Sequence, residues 1–300
     1  NCRSVSGEGT VKPMNTHSFG ILGGDSRFLY LARYLGERGY SVRAFVRRSG
    51  DAGADGVNPA RFCTSLRECA ECTDLVLPLP ASSDGANLSF PPDGGKIPLN
   101  TVFASVKKGT RVFAGCCSRY IADLARDAGA VLYDYYTSEE LLYKNALLTA
   151  EGALFEISSA VRRPFLGLGV TVFGYGRIAS LLTRRLVLLG SRVNVVCRSE
   201  KARAAAWADG ARAFSFGESA ALAPETECAV NTVPACVIGE DFLSAMDFHT
   251  PVLELASSSG TDSAAAERYG ITVKRAAGLP GKYFPESAAA VIGDAILAVL

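Results

Sequence analysis

Short blocks of apolar residues recur along the chain between glycine turns and stretches of helical spacing. The first block, Ser18-Phe19-Gly20-Ile21-Leu22, runs into Gly23-Gly24-Asp25. Residues 27–38 then place Phe28, Leu31 and Leu35 three or four apart and stop at Gly39, the pattern of a helix with one buried face. Ser41-Val42-Arg43-Ala44-Phe45-Val46 follows as a second strand. Strand, glycine turn, helix, strand is the βαβ unit of a parallel sheet. Further strands are predicted at 74–80, ended by Pro78 and Pro80, at 111–115 and at 131–134, with a helix over 119–128. Residues 81–98, rich in Ser, Gly, Pro and Asp, predict a long surface loop.

A helical stretch over 138–161 separates this run from a second one. Ser138 suits its N-cap, Glu139 and Glu140 suit its positive end, and Leu141, Leu142, Leu147, Leu148, Leu154, Phe155 and Ile157 supply apolar positions. Beyond it, strands are predicted at 169–173, 192–196, 228–231, 252–255 and 271–273, with helices over 177–189 and 287–299. The expected fold is α/β: two doubly wound, Rossmann-like parallel-sheet domains joined by a long helix, with a cleft between them. The expected boundaries are a flexible leader over 1–17, a substrate-side domain over 18–137 and a connector helix over 138–165. A dinucleotide-binding domain over 166–284 and a C-terminal helix over 285–300 complete the chain. Residues 1–13 lack apolar periodicity, and Met14 is the expected natural start.

Composition narrows the function classes. Of 300 residues, 48% are hydrophobic and 20% charged, which excludes a disordered or collagen-like chain. Lys and Arg number 31 against 30 Asp and Glu, so the net charge of +1 leaves no electrostatic footprint for nucleic acid. No apolar run reaches the roughly 18 residues needed to span a bilayer, and a cytoplasmic protein with no membrane partner is expected. Nine cysteines are scattered along the chain, with Cys69 and Cys72 in a C-x-x-C and Cys116 next to Cys117. Only two histidines, His17 and His249, could complete a metal set, so no metal is expected and the thiols are expected to pack.

The clearest chemical signal is Gly174-Tyr175-Gly176-Arg177-Ile178-Ala179, a G-x-G-x-x-A set directly after a strand and before a helix. Gly174 permits the tight turn, Gly176 the approach of a pyrophosphate, and Ala179 close helix–strand packing. The helix N-terminus adds free N–H groups and a positive dipole. At the end of the next strand, where an NAD site carries an acid, stands Cys197-Arg198-Ser199. Arg198 and Ser199 suit a 2′-phosphate, so NADP is the expected cofactor and NAD the alternative.

Two later strand ends lie at the same carboxyl edge: Asn231-Thr232-Val233-Pro234, and Leu255-Ala256-Ser257-Ser258-Ser259. They add Asn231, Thr232, Val233, Pro234, Ala256 and Ser257 to the cofactor side. Gly23-Gly24-Asp25-Ser26-Arg27 lacks the dinucleotide pattern and reads as an anion-holding turn on the substrate side, with Asp25 alternatively a helix cap. Ala277-Gly278-Leu279-Pro280-Gly281-Lys282 reads as a tight turn that presents Lys282.

Taken in order, these motifs, together with Val76-Leu77-Pro78-Leu79-Pro80 and Thr149-Ala150-Glu151-Gly152, resemble the family of the dipicolinate synthase A-subunit. The resemblance runs from Phe19 to the end of the chain. It implies a sporulation dehydrogenase that oxidises 4-hydroxy-tetrahydrodipicolinate, after loss of water, to dipicolinate with NADP. It also implies a flavoprotein-like second subunit, the dipicolinate synthase B-subunit, as partner. Asp25, Arg27, Ser258 and Lys282 are the candidates to hold the small dicarboxylate. Glu151 is the candidate proton acceptor or polar anchor, with Thr149 beside it on the connector helix. A homodimer is expected by analogy with this class. The chain departs from the family pattern at Leu148, in place of a proline, in the loop at Ser258-Ser259-Gly260, and at Phe284, where a small residue is usual.

Three other functions compete. A 2-hydroxy-acid dehydrogenase needs a late His paired with an acid, which neither His17 nor His249 supplies. A shikimate-dehydrogenase-like reductase needs a Lys–Asp pair, for which only Lys107 or Lys144 offers itself. An NADP-binding regulatory or scaffold protein without turnover is the reading that the altered loop at Ser258-Ser259 favours.

Overall fold

The computed structural model describes residues 16–47 and 60–300, so the expected leader, apart from its last two residues, lies outside the described residues. The chain divides into two compact units, Asn1–Thr137 with Ile292–Leu300, and Ser138–Val291.

In the first unit, β1 (Ser18–Leu22) leads into α1 (Ser26–Glu37) and β2 (Ser41–Phe45). After these come β3 (Arg61–Phe62), α2 (Leu66–Ala70), β4 (Asp74–Val76), α3 (Leu99–Ala104), β5 (Arg111–Ala114), α4 (Arg119–Asp127) and β6 (Val131–Asp134). All the pairings are parallel, in the order β3-β2-β1-β4-β5-β6. The central strands are covered on both faces, so Phe19, Ile21, Leu22, Leu75 and Val76 are buried regardless of the side on which they point. Their near-continuous apolar runs are the sequence consequence.

The second unit opens with α5 (Glu139–Val161), which is followed by β7 (Gly169–Phe173), α6 (Arg177–Leu188), β8 (Arg192–Val196), α7 (Glu200–Ala208) and β9 (Arg212–Phe214). The remaining elements are β10 (Cys228–Asn231), α8 (Glu240–Ala245), β11 (Val252–Glu254), α9 (Ser263–Arg268), β12 (Val273–Arg275), α10 (Leu279–Tyr283) and the start of α11 (Pro285–Leu297), whose residues from Ile292 onward belong to the first unit. Its six strands are again parallel, in the order β12-β11-β10-β7-β8-β9. Numbered within each unit, both sheets read 3-2-1-4-5-6, the doubly wound order with a switch point between the first and fourth strands. The α/β reading is borne out, and the two halves of the chain repeat one topology without repeating a sequence.

α5 belongs to the second unit. Ser138 caps it by accepting from the Leu141 amide, and Ala150, Ala153 and Ile157 pack into the core formed with β7 and α6. At the other end of the chain, Gly293 of α11 lets Tyr34 of α1 approach, since a Cβ there would lie 2.5 Å from the Tyr34 ring. The Tyr34 hydroxyl donates to Asp294. Burial, followed by that carboxylate, raises the Tyr34 phenol to about 12.

The element boundaries differ from the sequence pattern in three places, each with a local cause. The strand predicted at 74–80 ends at Val76, because Pro78 and Pro80 cannot donate to the ladder. The last strand lies at Val273–Arg275 instead of 271–273, because the Ile271 amide is used to close α9 on the Ala266 carbonyl. The predicted tight turn at 277–282 closes into the helix α10, entered through Gly278 at φ 67. The short helices α2, α3, α8 and α9 carry too few turns to show a periodicity.

Gly20 is fixed by packing alone: a Cβ there would lie 2.1 Å from the Cys69 carbonyl oxygen, which is backbone and cannot step aside. Gly20→Ala is expected to destabilise the first unit by about 2 kcal/mol or more, as overpacking of a tight core does. The midpoint of its chemical unfolding, with the second unit followed separately by Trp207 fluorescence, checks this.

Candidate functional site

In the second unit the switch point falls between β7 and β10. Gly174 ends β7 at φ 97, where a Cβ would lie 2.4 Å from the Thr232 Oγ1 and 2.8 Å from Val233. The Thr232 hydroxyl donates back to the Phe173 carbonyl at 2.8 Å, so the ends of β10 and β7 are tied across the switch point. Gly176, the N-cap of α6, has an ordinary φ of −84 and nothing within 4 Å of its Cβ position. Neither backbone strain nor internal packing calls for a glycine there. The open space is what an approaching pyrophosphate needs, so the residues fit a dinucleotide. Ala179 is fully buried, as close helix–strand packing requires.

The other fingerprint side chains are engaged elsewhere. Tyr175 turns its hydroxyl to Asp209, and burial followed by that carboxylate raises its pKa. Arg177 forms a two-pronged pair with Glu139 at 2.8 and 3.0 Å, which raises the pKa of its guanidinium. Ile178 packs against the core. At the end of β8, Arg198 is exposed, and Ser199 caps α7 by accepting from the Ala202 amide at 3.2 Å. The Ser199 hydroxyl therefore keeps its own proton to donate.

The β10 and β11 ends are held by a residue the sequence reading passed over. Glu254 is 3% exposed, and its carboxylate accepts from Asn231 Nδ2 at 2.7 Å, from the Gly260 amide at 3.1 Å and from the Thr261 hydroxyl. Asn231 is fully buried and closes its own turn, bonding both the amide and the carbonyl of Val233 at 2.9 Å. Gly260 must be glycine, because a Cβ would lie 2.1 Å from Asn231 Nδ2 and 2.7 Å from the Ala235 carbonyl oxygen. Ala256 is buried, whereas Pro234, Ser257 and Ser258 are exposed beside this fastening. The signal that marks Glu254 is an acid inside the apolar run Val252-Leu253-Glu254-Leu255.

Glu151, Thr149 and Lys282, expected on the substrate side, are each engaged by a neighbour within the second unit. Glu151 pairs with Arg185 at 3.1 Å. Arg185 lies eight residues along α6 from Arg177, about 12 Å down the helix from its N-terminal end. There Glu151 lines an apolar groove of about 520 Å³ with Leu154, Phe155, Phe165 and Leu188. Thr149 is buried and spends its hydroxyl on the Asn145 carbonyl at 2.8 Å. Lys282 donates to Glu156 at 2.6 Å, and Tyr283 and Lys274 reach the same carboxylate at 2.7 Å. The acid of α5 that gathers charge is thus Glu156, which is 1% exposed.

In the first unit the switch point falls between β1 and β4. Asp25 caps α1 by accepting from the Arg27 amide at 3.1 Å and also takes the Arg27 guanidinium on both oxygens. Arg27 is 7% exposed, and its Nη2 donates across the switch point to the Leu79 carbonyl at 2.7 Å. Cap and anion-binding side chain, read from sequence as alternatives, are one hydrogen-bonded pair. Behind them Gly115 packs against Leu79 and Tyr135, and Tyr135 donates to the Leu77 carbonyl at 2.9 Å. The described cysteines are all free, and burial raises the thiols of Cys69 and Cys72.

The chain is similar to known proteins in sequence and in fold. Residues 18–136 match the N-terminal domain of the dipicolinate synthase A-subunit. The dipicolinate synthase A-subunit of Bacillus subtilis (strain 168) is 24% identical over 293 residues, covering 93% of this chain and 94% of that protein. The crystal structure of the A-subunit of dipicolinate synthase from Bacillus halodurans superposes with a TM-score of 0.81 at 22% identity, over 95% of this chain and 98% of that one. An L-alanine dehydrogenase shares the fold more distantly, with a TM-score of 0.61 and 14% identity over 96% of this chain and 86% of that one.

Two outcomes follow from the site. Gly176→Ala puts a methyl into open space at a permitted φ, so it is expected to leave the melting temperature unchanged while lowering dinucleotide affinity at least tenfold. Gly174→Ala is expected to lower both; calorimetry of binding and of unfolding separates the two variants. The second outcome concerns acid. Burial pushes the Glu156 carboxyl up, but the hydrogen bonds from Lys274, Lys282 and Tyr283 outweigh it and hold the group at about 2, below its ordinary 4.5. A depressed folded-state value contributes stability that is present above 4.5 and is lost as the pH falls towards 2. Wild type should lose stability across that window more steeply than Glu156→Gln, as read from unfolding midpoints against pH.

Proposed function

We propose, from the match of residues 18–136 to the N-terminal domain of the dipicolinate synthase A-subunit, that the chain is an NADP-dependent dehydrogenase of that family. It oxidises 4-hydroxy-tetrahydrodipicolinate, after loss of water, to dipicolinate. The observation that carries the cofactor half of this reading is the open position at Gly176, at the head of α6 and directly after β7. The α6 N-terminal amides and the bare Gly176 face receive the pyrophosphate, and Thr232 and Val233 wall the turn. Arg198 and Ser199 meet the 2′-phosphate, the one by charge and the other through its remaining hydroxyl proton. Arg177, committed to Glu139, positions α5 against the head of α6 and leaves phosphate binding to backbone amides.

When bound, the nicotinamide accepts a hydride; the chain's own side chains orient the substrate. Arg27 is a buried cation at the first sheet's carboxyl edge. Its clamp between Asp25 and Leu79 holds the guanidinium plane in place before a carboxylate arrives, so little side-chain entropy is lost on binding. Asp25 is a positioning residue in this scheme. This reading routes no step through Glu151, paired with Arg185, Thr149, bonded to the Asn145 carbonyl, or Lys282, paired with Glu156. Aromatisation of the ring makes the oxidation favourable overall. A flavoprotein-like second subunit and a homodimer belong to the same reading.

The test is formation of dipicolinate, followed by its ultraviolet absorbance, from enzymatically generated 4-hydroxy-tetrahydrodipicolinate. It is run with NADP or NAD, and with or without the flavoprotein-like partner. NADP-dependent product is the expected result. Bound NADP without product under any of these conditions overturns the substrate and favours a binding protein without turnover. Arg198→Ala is expected to raise KM for NADP roughly tenfold, the scale of one charge-assisted phosphate contact, and to leave the value for NAD unchanged.

A further inference from the structure

Three non-glycine residues among those described have a positive φ: Phe90, Cys116 and Arg162. Arg162 is the C-cap of α5, an ordinary place for such a conformation. The other two lie at the carboxyl edge of the first sheet. Cys116 follows the end of β5, with its amide on Asp134 at 3.2 Å. Phe90, at φ 49, is in contact with the glycine turn after β1, because the Gly24 amide donates to the Phe90 carbonyl at 3.1 Å. A left-handed conformation is costly for a residue with a bulky side chain, and Phe90 also precedes Pro91, which disfavours helical conformations at that position.

The flanking chain gives Phe90 no freedom to relax. Leu88 is 3% and Ser89 4% exposed; their amides donate to the Ile97 and Ala81 carbonyls, and the Ser89 hydroxyl meets Ser83 at 2.8 Å. Leu88 lies against Gly23, whose Cβ position is 2.7 Å from its Cδ2. Beside this pinned segment the Phe90 ring is turned outward, 46% exposed. A strained backbone that presents an apolar ring to solvent gains little from packing within its own unit. Strain of this kind collects where a ligand is held.

We propose that Phe90 is the stacking face for the ring of the substrate, the specificity residue that favours a planar, unsaturated dicarboxylate over a saturated one. The inference rests on the reading of the chain as a dipicolinate-forming enzyme and adds to it the residue that recognises the ring. Arg27, three residues beyond Gly24, meets a carboxylate, and the aromatic face meets the flat ring that loss of water and oxidation create. An offset stack rewards planarity, so the interaction strengthens as the ring flattens towards product.

The test measures, by titration calorimetry on the full chain, binding of dipicolinate and of its saturated analogue, piperidine-2,6-dicarboxylate. Wild type is expected to favour dipicolinate. Phe90→Leu and Phe90→Gly should bind dipicolinate roughly tenfold more weakly and lose the preference, whereas Phe90→Tyr retains it. Phe90→Gly should melt no lower than wild type, since it relieves the strained φ. NADP affinity should be the same in all four proteins. If Phe90→Gly fails to fold, Phe90→Leu against Phe90→Tyr decides the matter alone. Wild type that binds dipicolinate, with Phe90→Leu retaining its affinity and preference, overturns the stacking role. Wild type that binds neither compound overturns the functional reading, and this inference falls with it.

Discussion

A buried carboxylate organises the working edge of the second domain. Glu254 stands at the end of β11 with almost no contact with water, and a charge in that position is tolerated only when donors surround it. The donors are the Asn231 side chain at the end of β10, the amide of Gly260 and the hydroxyl of Thr261. Satisfying one charge therefore fixes the ends of two strands and the loop beyond them. Asn231, held on one side by Glu254, closes the turn that sets Thr232 and Val233 against Gly174. The shape of the turn at Gly174 follows from this arrangement. Leaving any of these groups unpaired would cost about 1–3 kcal/mol or more, the penalty of a buried polar atom without a partner.

The first domain closes its carboxyl edge with an ion pair. Its sheet has the same strand order, and the side chain that bridges the switch point is Arg27, paired with Asp25 and seated on the Leu79 carbonyl. Parallel strands end with carbonyls and amides that the ladder no longer pairs, so each switch point needs a polar side chain to close it. In the second domain the Thr232 hydroxyl closes the switch point on the Phe173 carbonyl, and Glu254 fastens the neighbouring β10 and β11 ends and the loop beyond them. In the first, the Arg27–Asp25 pair does the closing. One fold, used twice, has its two edges closed by different side-chain chemistry.

Much of this was legible in the sequence. Short apolar blocks alternating with helical spacing pointed to the parallel sheets, because buried parallel strands and one-faced helices write different patterns. The fingerprint was legible because its glycines are required locally: Gly174 by its dihedral and Gly176 by the space it leaves. The fastening residues were less visible, since Glu254, Asn231 and Gly260 meet only when β10 and β11 lie side by side. Phe90 was hidden for a related reason. In a run of Ser, Gly, Pro and Asp a single aromatic residue carries no period, and its meaning lies in a dihedral angle and in an amide from a turn 66 residues earlier in the sequence.

The acid on α5 shows where pattern reasoning gives out. Glu151 and Glu156 lie five residues apart, well over one turn, so they point in different directions from the helix axis. Choosing between them requires knowing which face is buried. α5 is apolar over much of its circumference, because α6 packs on one side and α10 on another, so periodicity does not phase it. The small residues phase it better: Gly152 sits where a Cβ would lie 2.8 Å from Leu279 of α10, and Ala153 and Ile157 are fully buried. Glu156 shares that arc and meets the lysines of β12 and α10, while Glu151 is turned to Arg185 of α6. On a helix enclosed on several sides, the residues without large side chains record where neighbours press closest. They locate the buried acid where the large apolar residues do not.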